Sequence, residues 1–167
     1  MGTKQWTSIT EFREFYDRQV KRVYRLAMVL MGNISDAEDV TQTVFLKAWE
    51  KKPDFRDADH EIAWILTTTR NQCKDIHKSF YRRKRADLEN APEPQVTLET
   101  QMDSEIWEAL QSLAEKYRMV LYLYYYEGYS VKEIAEILRI KETTVQTRLM
   151  RARNALREIV KEDWLNE

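Results

Sequence analysis

Residues 130–157, SVKEIAEILRIKETTVQTRLMRARNALR, constrain the fold of this chain more than any other stretch of its sequence. Ser130 and Glu133 have the S-x-x-E spacing of a capping box, which predicts the start of a helix. A second helix is predicted to begin near Thr143, where apolar residues resume a spacing of three and four. Residues 139–141 separate the two, so the segment is predicted to be a helical pair with a very short turn. The apolar positions of the pair are Val131, Ile134, Ala135, Leu138, Val145, Leu149, Ala152, Leu156 and Ile159.

The second helix of this pair has a polar face with an arginine on each flank. At 100° per residue, the residues pointing away from the apolar line are Thr147, Met150, Arg151 and Asn154, with Gln146 beside them and Arg148 and Arg153 on the flanks. In a major groove, flanking arginines can hold phosphates while the middle of the face contacts base edges. Residues 139–157 contain six basic residues and one acid. A solvated charged face is the alternative, and this charge count favours DNA binding over it.

The composition of the whole chain indicates an all-α protein. It has 167 residues, 43% of them hydrophobic, and only three Gly and three Pro, with no long alternating apolar run. The length allows one domain or two small ones. The single cysteine, Cys73, excludes an internal disulfide. Because there is no signal peptide and no long apolar run, we expect a cytoplasmic protein without direct membrane insertion.

The charges are segregated along the chain and divide it into three parts. Residues 1–85 have a net charge of +5, residues 86–102 of −4 and residues 103–167 of −2. The acidic segment, ADLENAPEPQVTLETQM, contains two prolines and has no helical apolar face. We therefore predict two small helical domains, 1–85 and 103–167, joined by a flexible acidic linker. A long surface loop inside one domain is the alternative, but loops of this length are uncommon in compact domains.

The same start and stop signals predict the remaining helices. In the first domain, helices are predicted from residue 8 to 31, from 35 to about 51 and from about 59 to 84, with Gly32-Asn33 as a stop signal after the first. In the second domain, a helix near residue 103 and an apolar segment at 117–126 precede the helical pair. The C-terminal domain is therefore predicted to be a four-helix unit with a helix-turn-helix.

Two features of the first domain suggest binding surfaces. Trp64 and Asn71 lie two turns apart beside a basic track, and such a face can hold unstacked bases of single-stranded DNA. A core tryptophan and a solvated helix end are the alternatives. Acidic residues cluster at the start of the second helix, where they favour the helix dipole. A protein-docking surface is the competing interpretation of that cluster.

Three strings resemble the sigma-70 family of bacterial RNA polymerase sigma factors, in particular the short extracytoplasmic-function (ECF) type. VYRLAMVLMGNISDAEDVTQTVFLKAW is similar to the region that docks on the clamp helices of the polymerase β′ subunit. AWILTTTRNQCKDIHKS is similar to the helix that binds the −10 promoter element. YYYEGYSVKEIAEILRIKETTVQTRLMRARNALR is similar to the region that contacts the −35 element. The order and spacing of the strings fit the family over nearly the whole chain.

The resemblance implies roles for individual residues. Polymerase docking is implied for Asp36, Asp39, Gln42, Phe45 and Leu46. Trp64, Asn71 and Lys74 match positions that support or contact the −10 strand, and the loop 55–61, which begins with Phe55, matches the segment that receives a flipped base. Arg70 and Lys78 belong to the basic track of the same helix and complete the predicted −10 set. The −35 set comprises Gln146, Thr147, Met150 and Arg151 toward bases, Arg148 and Arg153 toward phosphates, and Lys141, Thr143 and Thr144 at the start of the helix.

The chain departs from the family pattern at three points. Arg139 stands where the turn usually has Gly, and a left-handed conformation there would cost about 1 kcal/mol. Leu113-Ala114-Glu115 replaces a frequent Leu-Pro, and Thr43 replaces a frequent acid after Gln42.

The partners that the resemblance implies are core RNA polymerase, through the β′ clamp helices and the β flap, promoter DNA, and an anti-sigma factor. We expect no catalytic activity, metal or cofactor, because His60 and His77 lack ligand partners at metal spacing and no Gly-rich phosphate loop is present. Two other classes stay open. One is a regulator that binds operators through its C-terminal domain alone, and the other is a helical interaction protein without DNA function.

Overall fold

The computed structural model describes residues 6–86 and 104–159, and helices dominate both ranges. In chain order they are α1 (Ile9–Met31), α2 (Ile34–Lys51), α3 (Ala58–Ala86), α4 (Ser104–Ser112), α5 (Glu115–Leu121), a π-helical turn (Tyr122–Tyr126), α6 (Val131–Leu138) and α7 (Glu142–Ile159). The chain divides into two compact units, Met1–Val96 and Thr97–Glu167. The all-α fold with two small helical domains is confirmed.

The predicted linker, 86–102, lies outside the described residues except for Ala86, which ends α3. The domain boundaries at residues 85 and 103 therefore stay a prediction. None of the helices described here is both long and apolar enough to cross a bilayer.

Both ends of α1 form where the sequence predicted them. The Ser8 hydroxyl accepts a hydrogen bond from the Glu11 N–H at 3.3 Å, which satisfies one free donor of the first turn. The Glu11 carboxylate accepts from the N–H of Thr7 at 2.6 Å, one residue before the cap. Gly32 ends the helix in the left-handed conformation, with φ of 80°, and donates to the Met28 carbonyl.

The predicted start of α2, with Ser35 as the cap, was wrong by two residues, because Asn33 is the cap. Asn33 Oδ1 accepts from the Asp36 N–H at 2.8 Å, and Asn33 Nδ2 donates to Asp36 Oδ2 at 2.7 Å. Gly32 alone ends α1, so Asn33 is available to begin the next helix. Asp36 therefore has a structural role in the first turn of α2, where its charge also favours the helix dipole.

Helices α1, α2 and α3 pack around one apolar core with an aromatic cluster at one end. The Phe15 ring lies at its centre, with ring centroids of Trp6, Phe45 and Phe55 at 4.6, 5.8 and 6.0 Å. Each fully buried large apolar side chain contributes about 1.5–3 kcal/mol to stability. The largest fully buried side chains among the described residues of this unit are Phe15, Val23, Leu26, Leu30, Val40, Val44, Ile65 and Leu66.

A polar contact fixes α1 against the start of α3. Gln19 Nε2 donates to Glu61 Oε1 at 2.7 Å, and both side chains are buried. Arg18 adds two hydrogen bonds of 3.3 Å to the same carboxylate. Burial of Glu61 is tolerated because its charge is paired and hydrogen-bonded.

In the C-terminal unit, α5 and α6 pack on α7. Its largest buried side chains include Met119, Leu123, Ile134 and Leu149. The buried Arg118 guanidinium donates to the carbonyls of Gln111 and Leu113 at 3.1 and 2.9 Å. Those carbonyls lie at the end of α4, where the helix offers them no partner, so Arg118 caps α4 from the next helix.

The predicted apolar segment at 117–126 is in fact two elements. Helix α5 ends at Leu121, and the next five residues form a π-helical turn in which the Glu127 N–H donates to the Tyr122 carbonyl. The Tyr122 and Tyr126 rings stack at 5.1 Å across this turn. Apolar periodicity predicts helix here but carries no signal for the wider turn.

Candidate nucleic-acid interface

The helix-turn-helix begins with the capping box that its spacing predicted. The Ser130 N–H donates to Glu133 Oε2 at 2.8 Å, and the Glu133 N–H donates to Ser130 Oγ at 3.2 Å. Arg139 ends α6 in the left-handed conformation, with φ of 55° and ψ of 47°. The backbone thus adopts the conformation that a glycine usually supplies, at a cost of about 1–2 kcal/mol for a residue with a Cβ.

Helix α7 keeps its apolar side buried and its polar side exposed. Its buried side chains, Val145, Leu149, Ala152 and Leu156, seat it against the rest of the unit. On the opposite side Gln146, Met150 and Arg151 are exposed, and Thr147 is half-buried with its hydroxyl donating to the Thr143 carbonyl at 2.9 Å. Lys141 and Thr143 are exposed at the start of the helix, and Thr144 is half-buried.

The two flanking arginines of α7 differ in their surroundings. Arg148 is half-buried and has no hydrogen bond or ion pair to another described residue, as is also true of Arg151. Arg153 donates from Nε to the Tyr125 hydroxyl at 2.6 Å. Its guanidinium also lies 5.4 Å from the Tyr124 ring centroid and 5.5 Å from that of Tyr125. The sequence assigned the same role to both arginines, but the structure distinguishes them.

Helix α3 brings most of the predicted −10 residues to one side. Asn71, Lys74 and Lys78 are exposed, and their spacing of three and four places them on one face. Trp64 and Arg70 are half-buried, with Trp64 two turns before Asn71. Trp64 is therefore partly a core residue and partly accessible to a ligand.

Phe55 differs from its predicted role at the −10 strand. It is 4% exposed, and its ring contacts those of Trp6, Phe15, His60 and Trp64 at centroid distances between 5.6 and 6.3 Å. A direct contact between Phe55 and DNA is therefore not available in this conformation. The sequence offered no sign of this, because a lone aromatic residue in a loop has no periodic neighbours to mark it as core.

The turn after Phe55 is tightly hydrogen-bonded. The His60 N–H donates to Asp57 Oδ1 at 2.7 Å, and the Arg56 N–H donates to His60 Nδ1 at 3.1 Å. These two bonds cap the start of α3 and give the loop 55–61 a defined shape.

The predicted docking residues lie on α2 beside a groove between α1 and α2. Asp39, Gln42 and Leu46 are exposed at spacings of three and four, and Leu46 is 57% exposed. Phe45 forms part of the floor and is only 5% exposed, so it supports the groove more than it offers a surface. Asp36 is half-buried at the helix start and bound to Asn33.

Residues of α1 form the other wall of the groove, and the sequence analysis missed them. The space has a volume of about 540 Å³ and is lined by Phe12, Tyr16, Val20, Tyr24, Glu38, Thr41, Gln42, Phe45, Leu46 and Trp49. Tyr16, Val20 and Tyr24 recur every four residues, and that spacing could have identified a second apolar stripe beside the core stripe of α1.

Comparisons with known proteins identify the family to which both units are similar. Residues 15–86 match the family model described as sigma-70 region 2, and residues 103–156 match the model described as sigma-70, region 4. The ECF RNA polymerase sigma factor SigL of Mycobacterium tuberculosis is 33% identical over 157 residues, which cover 90% of this chain and 89% of SigL. The ECF RNA polymerase sigma factor SigW of Bacillus subtilis is 28% identical and covers 88% of this chain and 87% of its own.

A solved structure has a similar fold. The sigma factor RpoE of Bartonella quintana, in complex with the anti-sigma factor NepR, has a TM-score of 0.70 and 25% identity, covering 93% of this chain and 99% of that one. Both family models, the order of their matches and the identity to SigL lead to one conclusion: the chain belongs to the sigma-70 family and is an ECF RNA polymerase sigma factor.

Proposed function

We propose that this sigma factor selects promoters through two contacts, with α7 recognising the −35 element and α3 the −10 element, and assists in melting the duplex. The observation that carries the proposal is the division of α7 into a fully buried apolar side and an exposed side of Gln146, Met150 and Arg151. The protein binds core RNA polymerase and promoter DNA as an initiation subunit. We propose that it is not catalytic and that it acts in the cytoplasm.

The exposed side chains of α7 have the chemistry that base recognition needs. Arginine can donate two hydrogen bonds to O6 and N7 of guanine, glutamine can pair with adenine, and an apolar side chain can contact the thymine methyl. Arg151, Gln146 and Met150 supply these three types on one side of a helix that a buried side holds in place. Each good bidentate pair discriminates against a wrong base by about 1–3 kcal/mol.

On α3, the face of Trp64, Asn71, Lys74 and Lys78 is suited to a single strand. Exposed lysines attract the phosphate backbone, and an accessible aromatic ring stacks on a base, at about 1–3 kcal/mol per base. Extruding a base from the duplex costs a few kcal/mol, which these contacts would offset. Because Phe55 packs in the core against Trp64, we assign it to the support of Trp64 instead of to DNA contact.

The groove between α1 and α2 is the proposed docking surface for the β′ clamp helices. An exposed Leu46 beside an apolar floor accepts side chains of a partner helix, and Asp39 and Gln42 supply polar contacts along the same face. We propose that the C-terminal unit contacts the β flap. The solved relative RpoE carries the anti-sigma factor NepR, and we propose an anti-sigma partner for this chain by analogy.

Run-off transcription with purified core polymerase on a promoter library tests the proposed function. We expect transcripts from a subset of promoters that share −35 and −10 sequences. Arg151→Ala should weaken initiation on those promoters by about 1–3 kcal/mol. Lys116→Ala, which removes one exposed charge at the start of α5, is the matched control. Strong binding to duplex operators without polymerase would instead favour a conventional regulator, and no salt-dependent DNA affinity would favour an interaction protein.

A further inference from the structure

The π-helical turn and α7 are joined by a clasp of three side chains, Tyr124, Tyr125 and Arg153. Arg153 Nε donates to the Tyr125 hydroxyl at 2.6 Å, a short bond for a charged donor. The Tyr124 and Tyr125 rings meet edge to face at 5.0 Å, and the guanidinium lies within 5.5 Å of both centroids. The clasp thus combines one charge-assisted hydrogen bond to Tyr125 with a cation–π contact to Tyr124.

The turn that carries the tyrosines is itself braced. Tyr122 is buried, stacks on Tyr126 and donates from its hydroxyl to Glu127 Oε1 at 3.0 Å. The Tyr129 N–H donates to the Leu123 carbonyl at 3.0 Å. Because the turn is held by these hydrogen bonds and this stacking, its tyrosines give Arg153 a fixed support. An arginine surrounded only by solvent has no such support.

The clasp leaves Arg153 less free to turn toward a phosphate than a solvated arginine would be. A phosphate takes the donors of a guanidinium fork. One donor of Arg153 is already directed to Tyr125, and two aromatic rings lie beside its guanidinium. Arg148, on the other flank of α7, has no such neighbours among the described residues.

We propose that Arg153, held by Tyr124 and Tyr125, does not bind a phosphate. It is instead a positioning residue that fixes the orientation of α7 in the −35 element. This inference rests on the proposed function of α7. Arg153 lies seven residues after Gln146, so the two share one side of the helix. Loss of the clasp should therefore relax selection most at the base that Gln146 contacts.

The test compares holoenzyme affinity for the preferred −35 element with affinity for elements changed at one base. Tyr125→Phe removes only the hydrogen-bond acceptor, and Arg153→Lys keeps the charge but loses the planar fork. We expect each to lower the ratio of the two affinities about fivefold, the effect of one hydrogen bond. The double variant should lose no more than either single one, because both remove the same clasp. A lower fraction of folded protein leaves this ratio unchanged, so a merely structural role would not produce the effect.

The salt dependence of binding separates positioning from phosphate contact. The slope of log K against log salt concentration should be the same for Arg153→Ala as for the control Lys116→Ala. Arg148→Ala should reduce the magnitude of that slope by about 0.9. A reduction of that size for Arg153→Ala, or an unchanged ratio for Tyr125→Phe, would overturn the inference while the proposed function stands. If the wild-type holoenzyme bound the preferred and the changed −35 elements equally well, both the proposed role of α7 and the inference would be overturned.

Discussion

The two units of this sigma factor differ in whether the residues predicted to bind partners are exposed or belong to the core. In the C-terminal unit, the residues proposed to contact bases, Gln146, Met150 and Arg151, are exposed, and a separate apolar set seats the helix. In the N-terminal unit, Phe45 and Phe55 were predicted to contact partners but are buried beside Phe15. Substitutions should therefore separate binding from folding in the first case and combine them in the second.

The largest expected effect tests this difference directly. Phe55→Ala should lower the free energy of unfolding of the N-terminal unit by about 3–5 kcal/mol, because it opens a cavity in the aromatic cluster. Met150→Ala, at a 54% exposed residue, should leave the stability of its unit within about 0.5 kcal/mol. Hydrogen exchange resolved along the full chain measures both. Equal effects of the two substitutions would remove the distinction between the units.

Leu46 is the predicted docking residue of the N-terminal unit whose substitution should weaken binding without weakening the fold. Leu46→Ala should weaken binding to core polymerase by about 1–2 kcal/mol with little loss of stability, because the side chain is 57% exposed beside the groove. Ile9→Ala, which truncates a 74% exposed side chain outside the groove lining, is the control. Titration of labelled core polymerase gives the affinity of each variant. If Leu46→Ala and Ile9→Ala lost the same amount of affinity, docking would have to occur at another surface.

The strained turn of the C-terminal unit gives a smaller effect of opposite sign. Arg139→Gly should raise the free energy of unfolding of that unit by about 0.5–1 kcal/mol, because glycine adopts φ of 55° without the Cβ penalty. Segment-resolved hydrogen exchange in α6 and α7 checks the result. Slower exchange would show that the backbone of Arg139 is strained, whereas faster exchange would show that the Arg139 side chain stabilises the unit by more than this strain destabilises it.

The smallest expected effect concerns the phosphate contact on α7. Arg148→Ala should weaken binding evenly across −35 sequences and reduce the salt slope by about one unit, which is about 3.5-fold in affinity between 50 and 200 mM salt. Affinity measured on several duplexes at several salt concentrations is the readout. A loss confined to particular sequences would assign Arg148 to base recognition.

The sequence predicted what depends on local pattern. The capping box at Ser130 and the stop at Gly32 are local features, and both formed as expected. Apolar spacing likewise predicted the four buried residues of α7, although Ile159, the last residue of the predicted apolar line, is 50% exposed. The exposed face of α7 could also be predicted, because it consists of the positions on the side of the helix opposite these apolar residues.

The remaining features depend on contacts between residues far apart in the chain. Burial of Phe55 arises from rings on α1 and α3, and the clasp on Arg153 joins residues 28 apart. The spacing of Tyr16 and Tyr24 marks a second stripe on α1, but the contact of this stripe with α2, which forms the groove, follows only from the packing of the two helices. Such contacts leave no periodic signal in a single sequence.

The most direct test of the central claim is selection from a promoter library randomised only at the −35 element, with wild-type and Arg151→Ala holoenzyme. We expect the wild type to select a defined sequence and the variant to lose selection at one or two adjacent positions while keeping the rest. Selection by the variant that matches the wild type at every position would contradict the claim that the exposed face of α7 chooses the promoter.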